Sequence, residues 1–406
     1  MNKRLSQPAS LPFASRFTFM VKKLTCRLLF IVALLQFHFF TLAQDSSHSR
    51  ISLLTCTPGQ DLYSTFGHTA IRVTDSSSVT DYVFNYGTFN FEDDGFYTKF
   101  IRGKLWYYLS VENFSDFKNA YQAENRGITE QVLNLDAAEK IGLMHALYEN
   151  AKEQNKFYKY DFFFDNCTTR PRDMLVKYKK NHPGFQPVMP KETRFRQAIH
   201  LYLDKNKKYW SKLGIDLLLG APTDAIMTTL HSQFLPDNLM KSLDSSNENQ
   251  QLVISTTNLY PLAEETDNSS LFTPLFIFSL LFCSIVVISF STSKWANLFL
   301  QGFDGVFFFL IGILGVLFIF MWFGTDHLMT KNNYNLLWAW PTNTIAAFVV
   351  TSKKKWVQKY FGVQAIALTL LLISWFFLPQ QLNSSLIPIV LLLIFRSARK
   401  FMQAQV

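Results

Sequence analysis

Two kinds of hydrophobic patterning divide the chain. Between residues 45 and 268 apolar positions are interrupted every few residues, whereas from residue 271 onward Phe, Leu and Ile run together. In the first region "ISLLT", "HTAIRVTD" and "DYVFNYGTF" are short β-rich runs separated by the turn signals "TPGQD" and "DSSS", a pattern that predicts strands. After Gly103 the pattern turns helical: "DAAEKIGLMHALYENAKEQ" repeats apolar residues at helical spacing behind Asp136 as N-cap, and "DNCTTRPRDMLVKY" opens a further helix. The polar stretch "SLDSSNENQQ" marks a linker. The organisation expected is an α+β domain over 44–245, a linker over 246–270 and an all-α membrane domain over 271–406.

Five apolar runs predict transmembrane helices, at 271–291, 303–323, 336–350, 361–378 and 386–395, the third and fifth being short. Composition agrees: with 49% hydrophobic and 17% charged residues the 406-residue chain is too apolar to be soluble throughout. Lys294, the group Lys353, Lys354, Lys355 and Lys359, and the group Arg396, Arg399 and Lys400 fall in alternate loops, while the loops between them carry little charge, so the α+β domain lies outside the cytoplasm. Trp295, Trp322, Trp338, Trp340, Trp356 and Trp375 stand near span ends, where interfacial anchors belong. At the N-terminus, Lys22, Lys23 and Arg27 precede an apolar run and then "TLA", the layout of a secretory signal over 1–43 cleaved after Ala43, with Met20 an alternative start.

Cys167 falls where the aromatic run "YDFFF" gives way to a helix, with Asp165 or Asn166 as cap. Unpaired N–H groups and the positive end of the helix dipole favour a thiolate there, and Arg170 and Arg172 one turn on add positive charge and are candidates for substrate contact. His68 opens the strand run "HTAIRV", and Asn85 or Tyr86 in "VFNYGTF" is the candidate to orient its ring. The competing reading of Cys167 is a disulfide with Cys56, the other cysteine of this domain, as fits an oxidising compartment. Asp326 and His327 fall at the outer membrane surface, where they would hold a lipid headgroup or the α+β domain. The Lys- and Arg-rich run 177–212, interleaved with aromatics, suits anionic headgroups or is a solvated basic face. The chain has no HExxH, no CxxC and no phosphate-binding glycine loop, which removes support for metal hydrolysis, disulfide exchange and nucleotide binding.

"SLLTCTPGQDLYSTFGHTAIRV", "NYGTFNF", "RGKLWYYL", "YDFFFDNCTTRPRD", "FDGVFFFLIGILGVLFIFMWFGTDH" and "NYNLLWAWPTN" together resemble the Lnb-type lipoprotein N-acyltransferases of Bacteroidetes. The resemblance implies a multi-pass inner-membrane enzyme with a periplasmic domain similar to circularly permuted papain-like folds of the NlpC/P60 type, in which the histidine precedes the cysteine. It implies Cys167 as nucleophile and His68 as base. The acyl donor would be a phospholipid, and the acceptor the α-amino group of a diacylglyceryl-modified lipoprotein, with no metal, cofactor or nucleic acid involved. The alternative activity is a membrane-anchored cysteine peptidase or amidase acting on cell-wall peptides. A non-enzymatic lipoprotein-binding protein holding a Cys56–Cys167 disulfide is the third reading.

Overall fold

The structure, a computed structural model, describes residues 48–180, 184–244, 251–261 and 271–402. The expected secretory signal lies outside the described residues. β1 (Ser49–Cys56), β2 (His68–Asp75) and β3 (Thr80–Thr88) form an antiparallel meander, with Cys56 opposite His68 and Ile71 opposite Phe84. α1 (Phe96–Ile101), β4 (Trp106–Asn113), α2 (Phe114–Ala123), β5 (Ile128–Leu133), α3 (Ala137–Ala151), β6 (Phe157–Lys159) and α4 (Thr169–Tyr178) follow. α5 (Phe195–Lys205), α6 (Tyr209–Leu218), α7 (Thr229–Ser232), α8 (Pro236–Asp244) and β7 (Val253–Tyr260) complete the domain. Its seven strands are ordered β6-β4-β3-β2-β1-β5-β7, and every neighbouring pair is antiparallel.

Strand alternation sorts side chains between two cores. Ile51, Leu53, Ile71, Phe84 and Tyr86 face α3, where they meet Leu143 and Leu147. Leu54, Cys56, Ala70 and Val83 face the other way and meet Phe117 of α2. Fully burying one such Leu or Ile contributes about 1.5–3 kcal/mol, so a one-residue slip of β1 would invert several such terms at once. α3 starts where expected: Asp136 accepts from Glu139 N at 2.8 Å and the Glu139 carboxylate accepts from Asp136 N at 2.8 Å, a reciprocal capping box.

The expected linker is shorter than its polar composition implies. Residues 253–260 are β7, hydrogen-bonded to β5 along its length, because "VISTTNLY" is rich in β-branched residues and covers an otherwise open sheet edge.

The membrane part contains α9 (Pro274–Ile288), α10 (Lys294–Phe323), α11 (Asn343–Ala346), α12 (Lys355–Ile373) and α13 (Ile387–Met402). Among the described residues, α10 and α12 are long and apolar enough to cross a membrane, and α9 is a shorter apolar helix. The third expected span is not a continuous helix. Residues 334–337 form a 3-10 turn, the chain breaks ahead of Pro341, and only the one-turn α11 and a second 3-10 turn follow. This irregular backbone is pressed against α10 at two glycines: a Cβ on Gly315 would collide with Ala339 O, and one on Gly312 with Thr344 N. Buried Asn343 accepts from Tyr360 Oη at 2.8 Å and from Gln364 Nε2 at 3.0 Å, and non-helical chain at membrane depth is tolerated when shielded by protein in this way. Trp338 and Trp375 are buried in this core and are not interfacial anchors.

The loop after α10 and the segment ahead of α13 join the two parts. Gly220 N donates to Met329 O at 2.8 Å, Asn333 Nδ2 to Leu217 O at 2.7 Å and Asn383 Nδ2 to Asp216 Oδ2 at 2.8 Å. The C-terminal end of α6 is thereby sewn to the membrane segments.

Candidate active site

Cys167 sits immediately ahead of α4, and Asn166 makes that junction. Its Oδ1 accepts from the N–H groups of Thr168 and Thr169, both at 2.8 Å, while its Nδ2 donates to Phe162 O and Phe234 O. One side chain thus caps the helix and ties the preceding turn to the segment ahead of α8. Asp165, the other candidate cap, is engaged elsewhere: it receives Arg170 in a two-pronged ion pair at 2.6 and 2.8 Å.

The half-buried His68 opens β2. Thr69 Oγ1 lies 3.2 Å from Thr168 Oγ1, a buried contact that fixes the start of β2 against the start of α4. The His68 ring and the Cys167 thiol line the same cleft, close enough for each to shift the other's titration. Burial raises the Cys167 thiol. The His68 charge, the hydrogen bond from His68, the Thr69 N–H and the Thr168 hydroxyl outweigh it and hold the thiol below its ordinary 9.0. For His68, desolvation lowers the pKa, but the Cys167 thiolate and the bonds to Cys167 and Asn85 prevail and hold it above 6.5. Each group thus favours the charged form of the other, the direction in which a Cys/His pair is activated.

Asn85 contacts the imidazole and Tyr86 does not. Asn85 Oδ1 stands 2.6 Å from His68 Nε2, while Asn85 Nδ2 donates to Glu112 Oε1 at 3.2 Å. A carboxylate only accepts, so the amide NH₂ faces Glu112, the amide oxygen faces the ring, and Nε2 carries a proton. Nδ1 is then the nitrogen left for the thiol. Tyr86, one residue on, points to the opposite face, where its hydroxyl accepts from Asn150 Nδ2 at 2.8 Å. Gly87 completes the approach: its φ is +89°, β3 shifts register between Asn85 and Thr88, and a Cβ there would lie 3.2 Å from the Cys167 Cβ.

Cys56 and Cys167 are both free thiols, which removes the disulfide reading. Cys56 is fully buried, and burial pushes its thiol up to about 12, the behaviour of an inert small core residue.

The pair opens into a cleft of about 410 Å³ whose walls are mostly apolar. Phe66 and Phe162 stand beside the reactive groups, Ile199 and Leu219 come from the α5 and α6 region, and Leu328 and Met329 come from the loop after α10. Arg170 and Arg172 are not part of it. Arg170 is held by Asp165 and stacks on Tyr158, its guanidinium carbon 3.4 Å from the ring centroid, while Arg172 pairs with Asp173 and donates to Leu230 O. Asp326 and His327 hold the α+β domain: His327 Nε2 contacts Phe100 O at 3.0 Å, Asp326 N donates to Arg102 O at 3.0 Å, and the Asp326 carboxylate receives Lys159 at 2.7 Å. His327 also lines the cleft rim. Much of the basic run 177–212 is taken up internally, with Lys179 on Glu139, Lys180 on Asp136, Lys208 on two backbone carbonyls, and buried Arg196 between Asp216 and Asp224.

Glu112, Thr69, Thr168 and Gly87 belong to the site, and sequence reasoning missed them as site residues. Only Gly87 left a trace, as a glycine inside the strand run "NYGTF". Two family models match the chain: the Lnb N-terminal periplasmic domain over residues 36–192 and the Lnb transmembrane domain over residues 265–405. No curated protein and no solved structure matches it.

Proposed function

The chain is an Lnb-type membrane protein, with a periplasmic and a transmembrane domain of that kind, and we propose that it is a lipoprotein N-acyltransferase using Cys167 and His68. The observation that carries this reading is the composition of the cleft. Cys167 and His68, each shifted toward the charged form by the other, face an apolar channel built jointly by the periplasmic domain and the Leu328–Met329 loop of the membrane domain. A cell-wall peptidase would need polar anchors for a hydrophilic peptide. A phospholipid acyl chain needs apolar walls and a route from the bilayer.

In the first half-reaction the Cys167 thiolate attacks the ester carbonyl of the phospholipid. The C–O bond breaks, the chain remains on sulfur as a thioester, and His68 gives its Nδ1 proton to the departing lysophospholipid oxygen. In the second, the free α-amino group of the diacylglyceryl cysteine attacks the thioester carbonyl. His68 takes the amine proton, the C–S bond breaks, and thiolate and imidazolium are restored. Asn85 holds the ring throughout, and Glu112 holds Asn85. The occupied apolar channel keeps water from the thioester, favouring amine over hydrolysis. The order of His68 on a strand and Cys167 at a helix start supports a permuted papain-like arrangement, and the flanking charges support multi-pass insertion in the inner membrane.

The test is mass spectrometry of lipoprotein N-termini in cells with and without the protein. Triacylated N-termini that revert to the diacyl form on deletion, and return with the wild type but not with Cys167→Ala, support the proposal. Unchanged acylation in a strain without a redundant enzyme would sink it.

A further inference from the structure

A second cavity, of about 420 Å³, lies at the far end of the membrane part from the catalytic cleft. α10 separates the two. Asn297 and Gln301 near its N-terminus line this cavity, whereas the loop after its C-terminus lines the cleft, and 30 residues of helix rise about 45 Å.

The charges around this cavity do not balance. Arg396 Nε and Nη2 donate to the two oxygens of Asp304 at 2.7 and 2.8 Å, and Lys400 Nζ reaches Asp304 Oδ2 at 2.7 Å. Arg396, Lys400 and Asp304 are all buried, so two cations share one carboxylate. Asp304 and Asp326 are the only acidic residues in the described membrane segments, and Asp326 is at the other end, on Lys159. Arg399, whose guanidinium donates to Ser289 O at 3.0 Å, and Lys353 add two more cations to the same wall. A buried group left with an excess charge is costly unless a counter-ion neutralises it. Arginine forks and lysine ammoniums ringing a cavity with amide side chains match the oxygens of a phosphate.

We infer that this cavity binds a phosphate group, supplied in a membrane by the headgroup of an anionic phospholipid in the leaflet opposite the catalytic domain. The bound anion neutralises the Arg396–Asp304–Lys400 cluster and fixes α13 against α10 and α12. The inference is independent of the acyl-transfer reading.

Full-length protein in phosphatidylcholine nanodiscs, with or without phosphatidylglycerol, tests it by thermal unfolding and by native mass spectrometry of retained lipid. Phosphatidylglycerol should raise the unfolding midpoint and be retained in preference to phosphatidylcholine. The preference should fall about fivefold for each charge removed in Lys353→Gln and in Arg399→Gln. Lys353 is an exposed side chain, so Lys353→Gln is informative even if the Arg399 variant fails to fold. Inorganic phosphate added to pure phosphatidylcholine discs separates the sources: stabilisation by it alone assigns the site to a soluble phosphate, and stabilisation only by the charged lipid assigns it to a headgroup. Indifference to both, or an undiminished preference in Lys353→Gln, overturns the inference.

Discussion

Asn85 Oδ1 stands 2.6 Å from His68 Nε2. The contact leaves Nδ1 to Cys167 and sets the plane in which it faces the sulfur. Asn85→Ala should lower kcat about 10- to 100-fold, the usual size of an orienting contact, with the KM for phospholipid little changed. Steady-state kinetics in mixed micelles measure this. A loss confined to KM would mean that Asn85 contacts substrate instead.

The pH profile follows from the two opposed shifts. Cys167 is held below 9.0 and His68 above 6.5, so each group draws the other toward its charged form. The rate of Cys167 alkylation should fall on the acid side only below the ordinary thiol range. In His68→Ala the charge that opposes burial is gone, so the alkylation midpoint should move upward, toward or past 9.0. An unmoved midpoint would show that the helix N-terminus alone sets the thiol.

Gly87→Ala places a methyl group 3.2 Å from the Cys167 Cβ at a φ of +89°. The conformational strain should cost about 1–3 kcal/mol, read as a lower unfolding midpoint. If Cys167 is the nucleophile, acyl transfer should fall further than that loss explains, because its side chain is displaced.

How much of this was legible beforehand depends on the scale of the interaction. β1 to β3, α3 with its Asp136 cap, and the long apolar α10 announce themselves through local periodicity, and Cys167 through its helix-start position. The Asn85–Glu112 relay joins neighbouring strands whose register no local pattern states. The broken segment around Pro341 passed as a span because its apolar composition hides buried Asn343, whose partners Tyr360 and Gln364 lie on another helix. Arg170 and Arg172 looked available because their partners, Asp165 and Leu230 O, are set by packing. The polar residues before β7 suggested a linker, and only pairing with β5 reveals the strand.

The membrane-domain wall of the cleft can be tested at Met329, buried and 162 residues beyond Cys167. Met329→Trp should fill the channel and cut acylation by long-chain phospholipids at least about tenfold, as steric blockage of an apolar pocket does. Alkylation of Cys167 by a small reagent should be unchanged. Equal losses for short- and long-chain donors would remove Met329 from the acyl channel.

The central claim, that Cys167 carries the acyl chain, is tested most directly by trapping it. Purified protein incubated with phospholipid and no acceptor amine should gain the mass of one acyl chain, mapped to the Cys167 peptide and released by hydroxylamine. Cys56→Ala should still form the adduct and Cys167→Ser should not, since a serine hydroxyl is far less ionised at neutral pH. An acyl group found on any other residue, or lipoprotein acylation sustained by Cys167→Ser, would contradict the account.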